Sequence, residues 1–288
     1  MFYFKLSKIP ESPECYTTAD VIRDEICGWY ITNVRYTDLF KKNKENIDTE
    51  LVQANLPLLL EQVIARGKRI IFVVTNSKGE DFAYVWFFAM TGSLSFVKKD
   101  HTQITFTVTK DGEKKHFYYE DKRTLGYAKF VTTGEELLDC FKNMGLDYMT
   151  GEVTLEMFTK EIKNKRRKNA LIAAFLLSQK PYIGIGNYAR AEILLEAKIS
   201  PYRKLEDLSD DDIEILYNSI HKILQKAYKC GGLTIGDYFD PHGRPGRFKP
   251  KVYGRKDIPE VVHEPFGPKP KGKTDTRRTI WYNPEIQV

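Results

Sequence analysis

The sequence has few cysteines and no long apolar run, and each shortage excludes a class of protein. Its 288 residues include four cysteines, Cys15, Cys27, Cys140 and Cys230, which are widely separated and form no Cys-x-x-Cys pair. This spacing argues against the usual zinc sites and against a disulfide framework, and it is typical of a reduced, intracellular protein. No apolar run approaches the roughly 20 residues of a membrane-spanning helix, so we expect no membrane partner.

The start of the chain also lacks a secretory signal. Residues 1–9 are too short, and too interrupted by polar side chains, to supply the apolar region of such a signal. We expect them to form an N-terminal extension ahead of the first motif.

A modest excess of positive charge is the first indication of a partner. The formal net charge is +6 and the pI is about 8.9. Such a charge suits contacts with the phosphates of a nucleic acid. An ordinary soluble protein that happens to be basic explains the charge alone equally well.

The spacing of apolar residues divides the chain into two parts. In the first part, a helix over residues 13–27 stops at Gly28, and β-rich segments then continue to about Thr133. This pattern predicts an all-β unit capped by a helix. Its predicted strands cover residues 30–36, 70–74, 82–90, 103–108 and 116–119.

The second part has the period of helices. Ser209 and Asp212 form a capping box at the start of one of them. The predicted helices cover residues 168–180, 187–197 and 209–229, and two short strands follow near 248–254 and 277–282.

Two short motifs suggest chemistry, and each has an ordinary alternative. A Pro-Glu-Ser-Pro-Glu stretch at 10–14 places a proline and two carboxylates at a helix start, where both residue types are also common for capping alone. A Gly-Ile-Gly-Asn turn at 184–187 opens a helix whose backbone N–H groups can bind a phosphate. The same turn matches a loose dinucleotide-binding pattern, but it follows a helix where that pattern follows a strand.

These motifs, with three others in the same order, resemble the formamidopyrimidine-DNA glycosylase/endonuclease VIII family of DNA-repair enzymes. The resemblance implies an α+β protein of two domains. One is an N-terminal β-sandwich with a capping helix; the other is a C-terminal helical domain with a helix–two-turn–helix motif and a zincless-finger β-hairpin. The other matches are Met-Thr-Gly at 90–92, Val-Tyr-Gly-Arg at 252–255 and Arg-Thr-Ile-Trp at 278–281.

The resemblance also predicts domain boundaries. They are 1–9 for the extension, 10–133 for the β-sandwich, 134–151 for a linker, 152–246 for the helix–two-turn–helix domain and 247–288 for the hairpin.

The hairpin departs from the usual pattern of the family, which holds zinc through four cysteines. Asn283 and Ile286 stand where two of the cysteines would be. The chain is therefore similar to the zincless-finger branch of endonuclease VIII-like proteins, found in animals and giant DNA viruses, and its AT-rich composition favours a viral source. We expect no metal and no cofactor, and burial of Tyr253, Trp281 and Tyr282 in place of zinc.

The catalytic residues implied by the resemblance begin with Pro10. In the family the first proline is the mature N-terminus, and its amine forms a Schiff base with the deoxyribose. Glu11 would then shuttle protons, Glu14 would support it, and Lys68 would reach a phosphate beside the lesion. In the full chain Pro10 is a tertiary amide, so activity requires a start of translation at Ile9 or removal of the first nine residues.

The same resemblance assigns residues that contact DNA. Met90, Arg123 and Leu125 would fill the space left by the flipped nucleotide, although leucine replaces the usual aromatic wedge and puts opposite-base preference in doubt. Asn187, Arg255 and Arg278 would bind the DNA backbone.

The sequence therefore predicts a bifunctional DNA glycosylase/AP lyase that removes oxidised bases. Its partner would be damaged DNA, double-stranded first and single-stranded as an alternative, and the protein would be a monomer in a nucleus, nucleoid or viral factory. Two competing functions are a DNA-binding relative without lyase activity, because Pro10 is acylated, and an RNA-binding or ribosome-associated protein. The lesion signals conflict: residues 231–248 have the length of a purine-covering loop, whereas the zincless finger favours oxidised pyrimidines and hydantoins.

Overall fold

The computed structural model describes residues 10–42, 49–89, 91–234, 238–267 and 277–288. The predicted extension at 1–9 and the predicted void-filling Met90 lie outside these described residues. The helices are α1 Ser12–Ile26, α2 Asp38–Lys41, α3 Thr49–Ala54, α4 Gly134–Asp139, α5 Leu155–Ile162, α6 Ile172–Leu177, α7 Asn187–Ala197 and α8 Asp210–Lys229. The strands are β1 Tyr30–Tyr36, β2 Leu58–Arg66, β3 Arg69–Asn76, β4 Asp81–Phe87, β5 Gly92–Ser95, β6 Thr102–Lys110, β7 Glu113–Asp121, β8 Tyr127–Val131, β9 Leu146–Asp147, β10 Tyr182–Ile183, β11 Val262–Pro265 and β12 Thr279–Tyr282.

The described chain forms two compact units. The first contains residues 1–143 together with 230–247, and the second contains residues 144–229 together with 248–288. The domain boundaries predicted from the sequence stay a prediction. In the structure, residues 230–247 pack with the first unit. In the described segments, no helix combines the length and the apolar character needed to cross a membrane.

The first unit is an antiparallel β-sandwich with α1 against it, as predicted. Its eight strands follow the order β5-β7-β6-β1-β2-β3-β4-β8. Aromatic side chains fill the space between the layers: the Trp86 ring lies 5.9 Å from Phe106 and 5.2 Å from Tyr119, and Phe72 lies 6.0 Å from Phe117. Such pairs contribute about 0.5–1.5 kcal/mol each beyond the burial of their surface.

Helix α1 packs on the sheet through one apolar stripe. Cys15, Ala19, Ile22 and Ile26 recur at helical spacing and are all buried. The guanidinium of Arg23 donates to the carbonyl of Val63 at 3.0 and 2.6 Å and fixes the helix over β2. The helix thereby holds the Pro-Glu stretch in a defined place on the sandwich.

The second unit differs from the prediction in several places, and α5, β9, β10 and β11 were not predicted. The helix predicted at 168–180 is shorter, because a 3₁₀ turn at Lys165–Arg167 precedes α6 and the chain turns extended at Ser178. The strand predicted at 248–254 is absent from the described structure, and β12 pairs with β11. Helix α8 begins as predicted, because Ser209 Oγ accepts the Asp212 N–H at 3.1 Å and Asp212 Oδ2 accepts the Ser209 N–H at 3.0 Å.

Shortening Ile22 tests the packing of α1. We expect Ile22→Ala to lower the free energy of unfolding by about 2–5 kcal/mol and Ile22→Val by about 0.5–1.5 kcal/mol, because each leaves a cavity under the helix. Asp24→Ala, on the exposed face, is the control and should change it by about 0.5 kcal/mol or less. Urea unfolding measures all three, and equal midpoints for Ile22→Ala and Asp24→Ala would contradict the packing.

Candidate active site

The start of α1 collects three of the four predicted catalytic residues, Pro10, Glu11 and Glu14. Pro10 precedes the helix, Glu11 is its N-cap in an extended conformation, and Glu14 stands in the first turn. Glu11 and Glu14 are only 3 and 2 % exposed, and their side chains form a reciprocal capping box. Carboxylates suit this place because the helix dipole leaves partial positive charge at the N-terminus.

The carboxylate of Glu14 joins two segments that are distant in sequence. Its Oε2 accepts the backbone N–H of Glu11 at 3.0 Å, and its Oε1 accepts the backbone N–H of Leu233 at 3.0 Å. The Tyr238 hydroxyl donates to the carbonyl of Glu14 at 3.2 Å. Burial, with the nearby Glu14 charge, raises the pKa of Tyr238 well above its ordinary value. Glu14 therefore positions Leu233 and Tyr238 against the helix start.

Two glycines make this approach possible. Gly232 has φ +95°, and a Cβ there would meet the Tyr238 ring at 2.6 Å and Glu14 at 3.0 Å. A Cβ on Gly246 would meet the Gly232 carbonyl carbon at 2.5 Å. Leu233 and Tyr238 were not among the predicted site residues, although the Gly-Gly pair at 231–232 was a signal of close packing.

The segment that follows is anchored to the edge of the sandwich. The Phe96 N–H donates to the carbonyl of Pro241 at 2.7 Å, and the His242 ring stacks on Phe96 at 5.4 Å. Asp240 closes the turn, because its carboxylate accepts the backbone N–H of His242 at 3.0 Å and of Arg244 at 2.9 Å. Residues 238–247 thus belong physically to the candidate site.

The other predicted residues of the first unit lie on turns between strands. Lys68 is half-buried in the turn from β2 to β3. Arg123 and Leu125 lie between β7 and β8; Arg123 is exposed, and Leu125 is 47 % exposed.

In the second unit, Asn187 opens α7 and is tied to the hairpin. Its Nδ2 donates to the carbonyl of Thr279 at 3.0 Å, and its Oδ1 accepts from Arg190 at 2.6 Å. Arg190 is fully buried. Thr279 follows Arg278, whose side chain is exposed immediately before β12. The side-chain amide of Asn187 is thus engaged within the protein.

Arg255, the third predicted DNA-binding residue, forms a bidentate pair with Asp257. The two nitrogen–oxygen distances are 2.8 and 2.7 Å. The pair lowers the pKa of Asp257 to about 2. Arg255 would have to exchange this partner for a phosphate in order to bind DNA.

The hairpin is ordered by a buried carboxylate and by stacked rings. Glu192 of α7 accepts the backbone N–H groups of Lys251, Val252 and Tyr253 at 2.8, 2.9 and 2.9 Å. These contacts explain why the predicted strand at 248–254 does not form: its N–H groups point to Glu192. The Trp281 ring stacks on His263 at 4.7 Å and meets Tyr253 edge-on at 6.0 Å.

In the part of the hairpin that the structure describes, the two expected ligand positions do not fit a zinc ion. Asn283 and Ile286 hold the expected cysteine positions; the Asn283 side chain accepts the Glu285 N–H at 2.9 Å, and Ile286 is apolar and exposed. Tyr253 and Trp281 are buried as predicted, whereas Tyr282 is only half-buried.

Comparison with known proteins agrees with this architecture. A family model described as the formamidopyrimidine-DNA glycosylase N-terminal domain matches residues 9–128, and one described as the formamidopyrimidine-DNA glycosylase H2TH domain matches residues 144–238. The formamidopyrimidine-DNA glycosylase of Rickettsia africae is 28 % identical over 86 % of this chain and 89 % of its own length. That of Cytobacillus firmus is 28 % identical over 87 % of this chain and 90 % of its own.

Solved structures share the fold. The MutM (Fpg) protein of Thermus thermophilus has a TM-score of 0.79 at 23 % identity, covering 96 % of this chain and 98 % of that one. The Lactococcus lactis Fpg, in a complex with DNA that contains an abasic site, has a TM-score of 0.78 at 23 % identity, covering 96 and 99 %. The chain belongs to the formamidopyrimidine-DNA glycosylase family. The endonuclease VIII-like branch and a viral source stay predictions.

Replacing Glu192 tests the order of the hairpin. Glu192→Leu leaves two buried N–H groups and one partly buried N–H group without their acceptor, so we expect the free energy of unfolding to fall by about 3 kcal/mol or more. Glu196→Leu on the same helix removes only partly exposed ion pairs and should cost about 0–1 kcal/mol. Urea unfolding compares the two, and equal losses would contradict the role of Glu192.

Metal removal tests whether the order of the hairpin depends on a bound metal. Because its side chains do not fit zinc, we expect EDTA to leave the thermal midpoint unchanged. Bound zinc measured by atomic absorption, with a midpoint that drops in EDTA, would overturn this expectation.

Proposed function

We propose that the protein is a DNA glycosylase of base excision repair that also cleaves the strand as an AP lyase. The observation that carries the proposal is the start of α1, where Pro10 stands directly before two buried carboxylates. Membership of the formamidopyrimidine-DNA glycosylase family supports the glycosylase activity.

The chemistry that we assign to this site begins with the amine of a terminal Pro10. The nitrogen forms a bond to C1′, the bond from C1′ to the base breaks, and the base leaves with the electron pair and takes up a proton. The nitrogen then loses its own proton, and its lone pair expels O4′ to give the Schiff base. Glu11 protonates O4′ as the sugar opens. Loss of a C2′ proton and departure of the 3′ phosphate cut the strand.

This mechanism requires a chain that begins at Pro10. Within the longer chain the Pro10 nitrogen is an amide and has no available lone pair. The family match begins at residue 9, immediately before Pro10, which supports an active form without residues 1–9. The alternative function, a DNA-binding homologue without lyase activity, follows if these residues are retained.

DNA contacts would come from the positions that match the family. Lys68 would bind the phosphate beside the lesion, and Asn187 and Arg278 would bind the backbone, with Arg278 offering a bidentate fork. The exposure of Arg278, and the bond of Asn187 to the carbonyl of the next residue, Thr279, support this assignment. Arg255 would join them after release from Asp257. Arg123, Leu125 and Met90 would fill the space left by the flipped nucleotide.

Within the family we propose the zincless-finger, endonuclease VIII-like branch, with oxidised pyrimidines and hydantoins as substrates. The lack of fit to zinc at Asn283 and Ile286 supports this branch. The names of the relatives favour formamidopyrimidine lesions, and the Lactococcus lactis Fpg also has a structure with DNA that contains an oxidised pyrimidine. A panel of duplexes with each lesion would rank the substrates.

Borohydride trapping tests the nucleophile. The full chain and a form that begins at Pro10 are incubated with abasic duplex DNA and sodium borohydride, which reduces a Schiff base to a stable adduct. We expect an adduct only from the form that begins at Pro10, mapped to Pro10 by peptide mass. Glu11→Gln in that form should slow strand cleavage by about 10²-fold or more, because proton transfer is lost.

The two forms are each other's control, since they differ only in residues 1–9. An equal adduct from the full chain, with those residues intact by mass, would assign the nucleophile to another amine. If neither form gives an adduct while both bind DNA, the DNA-binding homologue is the correct function.

A further inference from the structure

A buried carboxylate at the end of β7 has no role in the function proposed so far. Asp121 is 1 % exposed and lies two residues before Arg123. Its N–H donates to the carbonyl of His101 at 3.1 Å, which fixes its backbone to the start of β6. A buried carboxylate is costly unless hydrogen bonds satisfy both of its oxygens.

Both oxygens are satisfied by the loops on either side. Oδ1 accepts the Thr91 hydroxyl and, at 3.1 Å, the Arg123 N–H. Oδ2 accepts the Gly126 N–H at 2.7 Å and the Tyr119 hydroxyl at 3.4 Å. The Arg123 N–H also lies 3.2 Å from Thr91 Oγ1, so the hydroxyl and the carboxylate share one donor.

The packing around Asp121 is tight at the two neighbouring glycines. A Cβ on Gly126 would meet the Tyr119 hydroxyl at 2.4 Å and Asp121 Oδ2 at 3.0 Å. A Cβ on Gly92 would meet the Phe88 carbonyl oxygen at 2.7 Å and the Tyr119 hydroxyl at 3.0 Å. Burial and the adjacent Asp121 charge raise the pKa of Tyr119 well above its ordinary value, so its hydroxyl stays a donor.

We infer that Asp121 is a positioning residue that locks the segment carrying Arg123 and Leu125 to the start of β5. The carboxylate fixes both ends of the four-residue stretch 123–126, since it holds Arg123 at one end and Gly126 at the other. Leu125, 47 % exposed, is then presented from a backbone that does not have to be ordered when DNA binds. The inference rests on the proposed function, in which these side chains replace a flipped nucleotide.

The locking should matter only where a stacked nucleotide has to be replaced. Removal of a base from duplex DNA requires that step, whereas Schiff-base formation with an abasic site in single-stranded DNA does not. A variant with a loosened loop should therefore lose the first activity and keep the second.

Thr91 offers a matched pair of variants in the form that begins at Pro10. Thr91→Val keeps the shape and removes the hydroxyl, and we expect base excision from a duplex to fall about tenfold in kcat/KM. Thr91→Ser restores the hydroxyl and should recover the rate. Ser93→Ala removes a hydroxyl two residues further on, in β5, that bonds to Glu120 and not to Asp121, so it serves as the control. Trapping on single-stranded abasic DNA should be the same for all four proteins.

Asp121→Asn tests the carboxylate itself, because it turns one acceptor into a donor against the Gly126 N–H. We expect a loss larger than that of Thr91→Val in duplex excision, with faster hydrogen exchange of the Arg123 and Gly126 amides.

Equal losses in the duplex and single-strand assays would show a general structural role and overturn the inference. The inference would also be overturned if Thr91→Val and Asp121→Asn both left duplex base excision and amide hydrogen exchange unchanged. If the parent protein gives no adduct with any DNA, the proposed function fails, and hydrogen exchange alone still decides whether Asp121 locks the loop.

Discussion

The irregular segments of this protein depend on buried carboxylates that accept backbone N–H groups. Glu14 holds Leu233, Asp121 holds Arg123 and Gly126, and Glu192 holds residues 251–253. Backbone N–H groups outside helices and sheets need acceptors when they are buried. A carboxylate can satisfy several of them at once, and an ionised acceptor makes each bond stronger than a neutral one. In the first unit, the segments held by these carboxylates have fixed positions beside α1 and the edge of the sandwich. In the second unit, residues 251–253 have a fixed position beside α7.

The same device accounts for the order of the hairpin, in which Asn283 and Ile286 do not suit zinc. A metal would tie the two strands together from one point, whereas here the order comes from two sources within one unit. Glu192 fixes the approach to the hairpin, and Trp281 lies against His263 and Tyr253. Asn187 and Arg190 add polar contacts to the Thr279 carbonyl, so α7 contacts both the approach and the last strand. Asn187 and Arg190 at the start of α7 therefore matter to the hairpin as much as to the turn that precedes the helix.

Local patterns predicted part of the regular structure, and contacts between distant segments decided much of what they missed. Helix α1, five of the eight strands of the sandwich and the capping box of α8 follow from periodicity and cap residues, which act over a few positions, whereas β2, β5 and β8 were not predicted. The strand expected at 248–254 failed because its N–H groups have a side-chain acceptor 59–61 residues away, which no local pattern reveals. For the same reason Asp121, Leu233 and Tyr238 were not predicted as site residues: their importance lies in partners from other parts of the chain.

Capping and catalysis are usually alternative explanations of a Pro-Glu pair at a helix start, but here they are compatible. Capping explains the reciprocal bonds of Glu11 and Glu14, and the Glu14 carboxylate also accepts the N–H of Leu233. It does not explain why both acidic side chains are buried beside Pro10, because a capping box works equally well at an exposed helix start. A nucleophilic amine reacts efficiently only when its position and that of its proton shuttle are fixed beforehand. The capped, buried start of α1 supplies that rigidity, so in the proposed function Glu14 would contribute by holding Glu11, the neighbour of Pro10, in place.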